Sequence, residues 1–267
     1  MRAADEGGNR VSAGSAEVAY TRYEGGQPQP ASRPVVREAP ISLYVNGSEW
    51  VTFLCTPLDL NQLVVGFLHS EGVISSPADI AMLRVCDGVE GEVHVQLLNP
   101  VELPSRRVLT SGCGGGITFA ELAARRESIT SNQCITPTQV VKLMTWLYQE
   151  AEIHNQAGGA HASALSDGER LLMVIEDVGR HNTLDKILGR CLLTGQETGD
   201  HILLTTGRVS TEMLNKAAHM RVPIVISRTS PTDLAVNLAQ AWEITLIGYV
   251  RGRSFNVYTG EWRITCS

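Results

Sequence analysis

The sequence predicts an α/β fold: a largely parallel sheet covered by helices, preceded by a smaller α+β unit. Two observations predict it. From Leu171 onward, LLMVIE, HILLTT, VPIVIS and ITLIGYV read as strands, and NTLDKILGRCLL, TEMLNKAAHM and PTDLAVNLAQAW between them read as helices. Such alternation marks strands joined by covering helices. Ahead of it, a hairpin, one amphipathic helix and two short strands form a separate α+β pattern.

The elements follow in order. Residues 1–35 are rich in Gly, Ala, Ser, Pro and Glu without apolar periodicity, and are expected to be a disordered tail. Residues 36–110 form the small unit. ISLYV and WVTFLC flank Asn46-Gly47, a hairpin turn signal. In DLNQLVVGFLHSEG, Leu60, Leu63, Val64, Phe67 and Leu68 share one helical face, with Asp59 placed to cap the start and Gly72 to close the end. LRVCDG and EVHVQLL follow as strands. Residues 111–135 hold a glycine-rich turn around Cys113 and a helix opening near Ile117. Residues 136–267 form the large unit, entered by a helix with Thr136 as cap and Pro137 at its first position.

Hydrophobic residues are 43% and charged residues 19%, as in a globular chain of 267 residues. The net charge of -6 argues against a general nucleic-acid surface but permits a local basic pocket. No apolar run is long enough to span a bilayer, and MRAADEGGNR lacks a secretory signal pattern, so a cytoplasmic protein without membrane partners is expected. The six cysteines form no C-x-x-C pair and should be free thiols.

Arginine recurs where the strands stop. LLMVIE leads to Arg180, HILLTT to Arg208, VPIVIS to Arg228, and ITLIGYV to Arg251 and Arg253. Ligands of open α/β sheets bind at the carboxyl edge, helix starts there favour anions, and guanidinium groups make forked bonds to phosphate. Ser210 and Ser230 can cap two of those helices. The pattern suits a phosphorylated ligand; the competing reading pairs these arginines with Glu176, Asp177, Asp185, Glu212 and Asp233.

Cys113 lies in T-S-G-C-G-G-G-I, ahead of an expected helix start whose positive end favours thiolate, the nucleophilic form. A thiolate on an accessible loop can accept sulfur from a persulfide and pass it on. Cys55, Cys86 and Cys191 sit in apolar-patterned segments, where burial is expected. His161, among Gly158, Gly159 and Ala160, and His181 beside Arg180 are candidates for ligand contact or proton transfer. The H-x-E and P-C-x-x-C pattern of zinc deaminases is missing, so no metal site is expected.

GFLHSEGVI, TSGCGGGITF, GGAHASAL, EDVGRHNTLDKILG, LTTGRVSTEM, PTDLAVNLA and YVRGRSFNVYTG, in this order between residues 36 and 260, resemble the formate dehydrogenase accessory sulfurtransferases, the FdhD family. The resemblance implies a cytidine-deaminase-like three-layer α/β domain without the deaminase zinc, and a homodimer. It implies that sulfur from a cysteine desulfurase is held as a persulfide and passed to the bis-molybdopterin guanine dinucleotide cofactor of a formate dehydrogenase. The family's persulfide cysteine falls on Cys113, and its cofactor-binding stretch on Tyr249, Val250, Arg251, Gly252, Arg253 and Ser254. Together with the strand-end pattern, the expected cofactor-binding set adds Arg180, His181, Arg208, Arg228 and His161.

Two positions depart from the family pattern. Many members carry a second cysteine three residues after the first, where this chain has Gly116, so a two-cysteine relay within the loop is unavailable. RGRSFNVY also replaces the common GGRFNVY. The alternative reading is a non-catalytic cofactor chaperone in which Cys113 only gates release.

Overall fold

The computed structural model describes residues 12–86, 91–99, 101, 103 and 127–265. It begins with a correction. Strands β1 (Ser15–Glu24) and β2 (Gln27–Val36) form an antiparallel hairpin where a disordered tail over residues 1–35 was expected. Gly25 and Gly26 both have positive φ, which builds the two-residue turn that matches strand twist. The strand signal was hidden because Pro28, Pro30 and Pro34 argue against β-structure and most residues of the hairpin are exposed.

The small unit is a four-stranded sheet of β3 (Ala39–Val45), β4 (Ser48–Cys55), β5 (Ile80–Cys86) and β6 (Gly91–Leu97), in the order β4-β3-β6-β5. Helix α1 (Leu60–Ser70) buries Leu63, Val64, Phe67 and Leu68 against Leu43, Phe53 and Val93. Gly72 closes it with φ +73, as expected. Asp59 stands at the N-cap, but at φ 54 its side chain makes no capping bond.

The large unit contains α2 (Pro137–Glu150), α3 (Glu152–Ala157), β7 (His161–Ser166), β8 (Leu171–Asp177), α4 (Arg180–Thr194) and β9 (Ile202–Thr205). It continues through α5 (Thr211–His219), β10 (Ile224–Ser227), α6 (Asp233–Ala241), β11 (Thr245–Arg251) and β12 (Ser254–Thr259). Thr136 caps α2, accepting from the Gln139 N–H while the Gln139 side chain accepts from the Thr136 N–H. The sheet order is β12-β11-β10-β9-β7-β8. Only the neighbouring pairs β9-β10 and β10-β11 are parallel, whereas β7 runs antiparallel to both β8 and β9, and β12 to β11. The sheet is therefore mixed, not largely parallel. Strand β7 escaped notice because HASALS is a run of small residues that lacks the bulky β-branched signature.

Alternate side chains of each strand face opposite helix layers. Leu203, Val225 and Leu246 pack with α4, α5 and α6, whereas Leu204, Ile226 and Ile247 pack with α2. Because β7 reverses between β8 and β9, the carboxyl ends of β8, β9, β10 and β11 share one edge with the amino end of β7.

The two units meet where α1 crosses α4. A Cβ on Gly66 would lie 1.8 Å from the Asp185 carbonyl oxygen, and one on Gly189 would lie 1.9 Å from that of Gln62. Glycine at both positions lets the two backbones touch.

Candidate functional site

The stretch EDVGRHNTLDK spans the end of β8 and the first turns of α4, and most of its polar groups hold the fold together. Both Glu176 oxygens accept backbone N–H groups of Ile153 and His154, at 2.8 and 2.7 Å, where α3 begins. Asp177 accepts from the Gly179 N–H at 2.7 Å, the Asn182 amide at 2.9 Å and the Thr56 N–H at 3.2 Å. Lys186, with no exposed side-chain surface, donates to Asp177 at 2.6 Å and to the Thr56 carbonyl at 3.0 Å. This buried pair ties the end of β4 to the start of α4. Asp185 accepts from Lys216 of α5 and from Ser70 of α1. Burial pushes the Asp185 carboxyl up, and the Lys216 ammonium opposes that shift.

Four of the five acids that could have neutralised the strand-end arginines are thus engaged elsewhere, Glu212 by His181 and Lys216. Among the described residues, no guanidinium of Arg180, Arg208, Arg228, Arg251 or Arg253 forms an ion pair with a carboxylate. The structure rejects the pairing alternative. Among the described residues, the buried Arg180 Nε lacks a hydrogen-bond partner, an arrangement that costs free energy until an acceptor arrives.

The structure brings Arg180 and His161 together around Gly207. A Cβ there would lie 3.1 Å from the Arg180 Cβ and 3.4 Å from the His161 Nδ1, so a side chain at this position would press on Arg180 and touch His161. His181 Nε2 lies 3.4 Å from the Ser210 hydroxyl and 3.6 Å from Glu212. Burial, and secondarily Arg180, lowers the pKa of His161. Burial also lowers His181 to about 4 against the opposing pull of Glu212, with Arg180 adding to the fall. Both imidazoles are therefore neutral at pH 7, and the positive charge resides on the arginines.

Ser210 caps α5 by accepting from the Met213 N–H. The expected cap Ser230 is corrected to Thr232, which accepts from the Ala235 N–H at the start of α6. With α4, three helix starts face this edge, adding partial positive charge.

Tyr249, Val250, Arg251, Gly252, Arg253 and Ser254 form the end of β11 and its turn into β12. Tyr249 adopts φ 53, rare for a bulky residue, while its N–H donates to the Thr229 carbonyl at 3.0 Å. That irregularity exposes Tyr249, and Arg251 lies 5.5 Å from its ring centre. Arg208, Arg251, Gly252, Arg253 and Ser254 are exposed, and Val250 is buried beneath.

Sequence reasoning missed Tyr148 and His154. The Arg228 guanidinium lies 6.0 Å from the Tyr148 ring, which meets His154 edge-on at 5.4 Å, and His154 contacts the Ala160 carbonyl next to His161. A cavity of about 110 Å3 opens between Met144 and Tyr148 of α2 and Arg228, Val250 and Gly252. No motif marks Tyr148; the only available signal was its place in the last turn of a helix that ends at this edge.

Cys113 lies outside the described residues, as do Gly116 and the helix expected near Ile117. Cys55 and Cys191 are buried as expected, with thiols pushed by burial to about 12 and about 11. Cys86 is half-buried and Cys134 exposed.

The fold and site define a mixed α/β protein whose sheet edge presents uncompensated arginines and neutral histidines. The chain belongs to the FdhD/NarQ family, which it matches over residues 36–265. It is 41% identical over 249 residues to the sulfur carrier protein FdhD of Bacillus subtilis (strain 168), covering 91% of this chain and 95% of that protein. The sulfur carrier protein FdhD of Staphylococcus haemolyticus (strain JCSC1435) is 38% identical, with 91% and 94% covered. A crystal structure from Desulfotalea psychrophila, of a protein assigned as a formate dehydrogenase accessory protein, superposes with a TM-score of 0.77 at 27% identity, over 94% of this chain and 99% of that one.

Proposed function

We propose that the protein is a sulfurtransferase that takes sulfur from a cysteine desulfurase as a persulfide on Cys113. It passes this sulfur to a bis-molybdopterin guanine dinucleotide cofactor destined for formate dehydrogenase. The observation that carries the substrate half of this reading is the free arginine edge. A pyrophosphate-bearing dinucleotide needs several cations held apart from carboxylates, and Arg180, with its unpartnered buried Nε, offers one. Arg208, Arg228, Arg251 and Arg253 follow the ends of β9, β10 and β11 along the same edge.

In the first step the Cys113 thiolate attacks the outer sulfur of the desulfurase persulfide. The S–S bond of the donor breaks, its cysteine leaves as thiolate, and a new S–S bond forms on Cys113. Delivery breaks that bond and returns Cys113 as a thiolate; release of sulfur at the sulfide level takes two electrons, which a thiol reductant provides. His161 and His181, neutral at pH 7, can accept hydrogen bonds or take up a proton beside the bound phosphates. The reading includes kinship of the large unit with the cytidine deaminases, a homodimer, and a cytoplasmic location. No described helix is long and apolar enough to cross a membrane.

The test is intact-mass spectrometry after incubation with a cysteine desulfurase and cysteine. One added sulfur atom, mapped to Cys113, removed by reductant and missing in Cys113→Ala, is expected. A protein that binds the cofactor yet never gains sulfur would be a chaperone, and the sulfurtransferase reading would fall.

A further inference from the structure

The hairpin at the amino end has two edges of opposite character. Glu24 and Gln27 close the turn, so they are a hydrogen-bonded pair, and such pairs alternate along an antiparallel ladder. Even-numbered residues of β1 therefore bond to β2, opposite Gln27, Gln29, Ala31, Arg33 and Val35. The prolines confirm this parity: Pro28, Pro30 and Pro34 face Tyr23, Thr21 and Glu17, where β2 offers no N–H to its partner. Those three positions are the ones whose N–H groups would point outward. The outer edge of β2 is thus blocked against a further strand.

The outer edge of β1 carries no such block. Glu17, Ala19, Thr21 and Tyr23 turn their N–H and C=O groups outward, and among the described residues no strand other than β2 pairs with β1. Residues 17–24 are all exposed, including Val18 at 42% and Tyr20 at 40%. A lone two-stranded ribbon is marginal in water. Among the described residues only its base is anchored, by Arg33 donating to the Ala157 carbonyl and Val36 packing beside Ile153 and Ala157, while Arg37 donating to the Ser15 carbonyl ties its two ends together.

We propose that the open edge of β1 pairs antiparallel with β1 of a second copy of this chain, making a four-stranded sheet in the order β2-β1-β1-β2. Identical edges satisfy each other about a two-fold axis, and the prolines terminate both outer edges, so assembly stops at two copies. A register centred on Ala19 sets Val18 of each copy opposite Tyr20 of the other, in the closer, non-hydrogen-bonded pairs. That register opposes Glu17 to Thr21 and Arg22 to Ala16, so no like charges meet. The pairing takes from the preceding section only the expectation of two copies; a dimer held elsewhere would leave the sulfur chemistry intact.

The test is sedimentation equilibrium of the full chain at micromolar concentration. The wild type should have the mass of two chains. Ala19→Pro with Thr21→Pro removes two outward N–H groups, at positions of the kind β2 already fills with proline, and should give the mass of one chain. Ser32→Pro, on the edge that is already blocked, should leave the dimer intact. Ala19→Cys in the otherwise unchanged chain should form an intermolecular disulfide under oxidation, because hydrogen-bonded partners lie about 5.5 Å apart at Cα. A monomeric wild type, a double-proline dimer, or peptide mapping that finds no disulfide between the two introduced thiols would each overturn the proposal. A strand from another protein on this edge would appear as a monomer that binds that protein, and would overturn it too.

Discussion

Replacing Lys186 with methionine tests whether the dense polarity of EDVGRHNTLDK is structural. The Lys186 ammonium sits 2.6 Å from Asp177, and neither side chain has exposed surface. Methionine fills similar volume but leaves a buried carboxylate with only neutral donors: two backbone N–H groups, from Thr56 and Gly179, and the Asn182 amide. Removing one member of a buried pair costs about 3–5 kcal/mol. At about 2–4 °C per kcal/mol for a chain of this size, Tm should fall by roughly 6–20 °C. Adding Asp177→Asn to Lys186→Met removes the stranded charge while keeping a carbonyl acceptor, so the double variant should recover at least about 1–2 kcal/mol of the loss. Thermal and urea denaturation of the four proteins supply the cycle. A single variant that loses less than about 1 kcal/mol, or a double variant as weak as the sum of the singles, would refute the assigned role.

Three further outcomes follow from the same contacts. Gly66→Ala or Gly189→Ala places a methyl against carbonyl oxygen in the α1–α4 crossing and should cost at least about 1–3 kcal/mol, read as a lower urea midpoint; Gly195→Ala, with open space around it but φ +71, should cost less. His181 titrates near 4 when folded, below its ordinary 6.5, so the unfolded chain binds more protons between those values. Stability should be complete above about pH 6.5 and decline by about 1–2 kcal/mol as pH falls toward 4, with His181→Asn flattening that decline in urea titrations. Anion binding beside His161 and His181 should raise both pKa values. Affinity for inorganic pyrophosphate should therefore increase from pH 8 to pH 6 in calorimetry with measured proton uptake.

How much was legible depended on whether local chemistry carried the signal. The cap at Thr136, the Gly72 helix stop and the Asn46-Gly47 turn were readable because each rests on residues a few positions apart. The arginine edge was readable because strand ends are periodic landmarks, and the reversal of β7 did not disturb it: β8 still points the same way as β9. The hairpin over 15–36 was hidden by prolines that are compatible with a strand only on its outer edge. Ser230 and Thr232 lie two residues apart, and only the observed helix start distinguishes them. The engagement of Asp177 by Lys186 and Thr56 depends on contacts between the units, 121 and 130 residues apart for the two Thr56 bonds, which no single-sequence pattern encodes.

The central claim is that the strand-end arginines stand free of carboxylates in order to hold pyrophosphate. Equilibrium binding of guanosine diphosphate to the wild type and to Arg180→Met tests it most directly. Losing one charge-assisted contact worth about 1.5–3 kcal/mol should weaken binding roughly 10- to 100-fold with Tm nearly unchanged. A wild type that ignores the nucleotide, or an Arg180→Met protein that binds it equally well, would contradict the account.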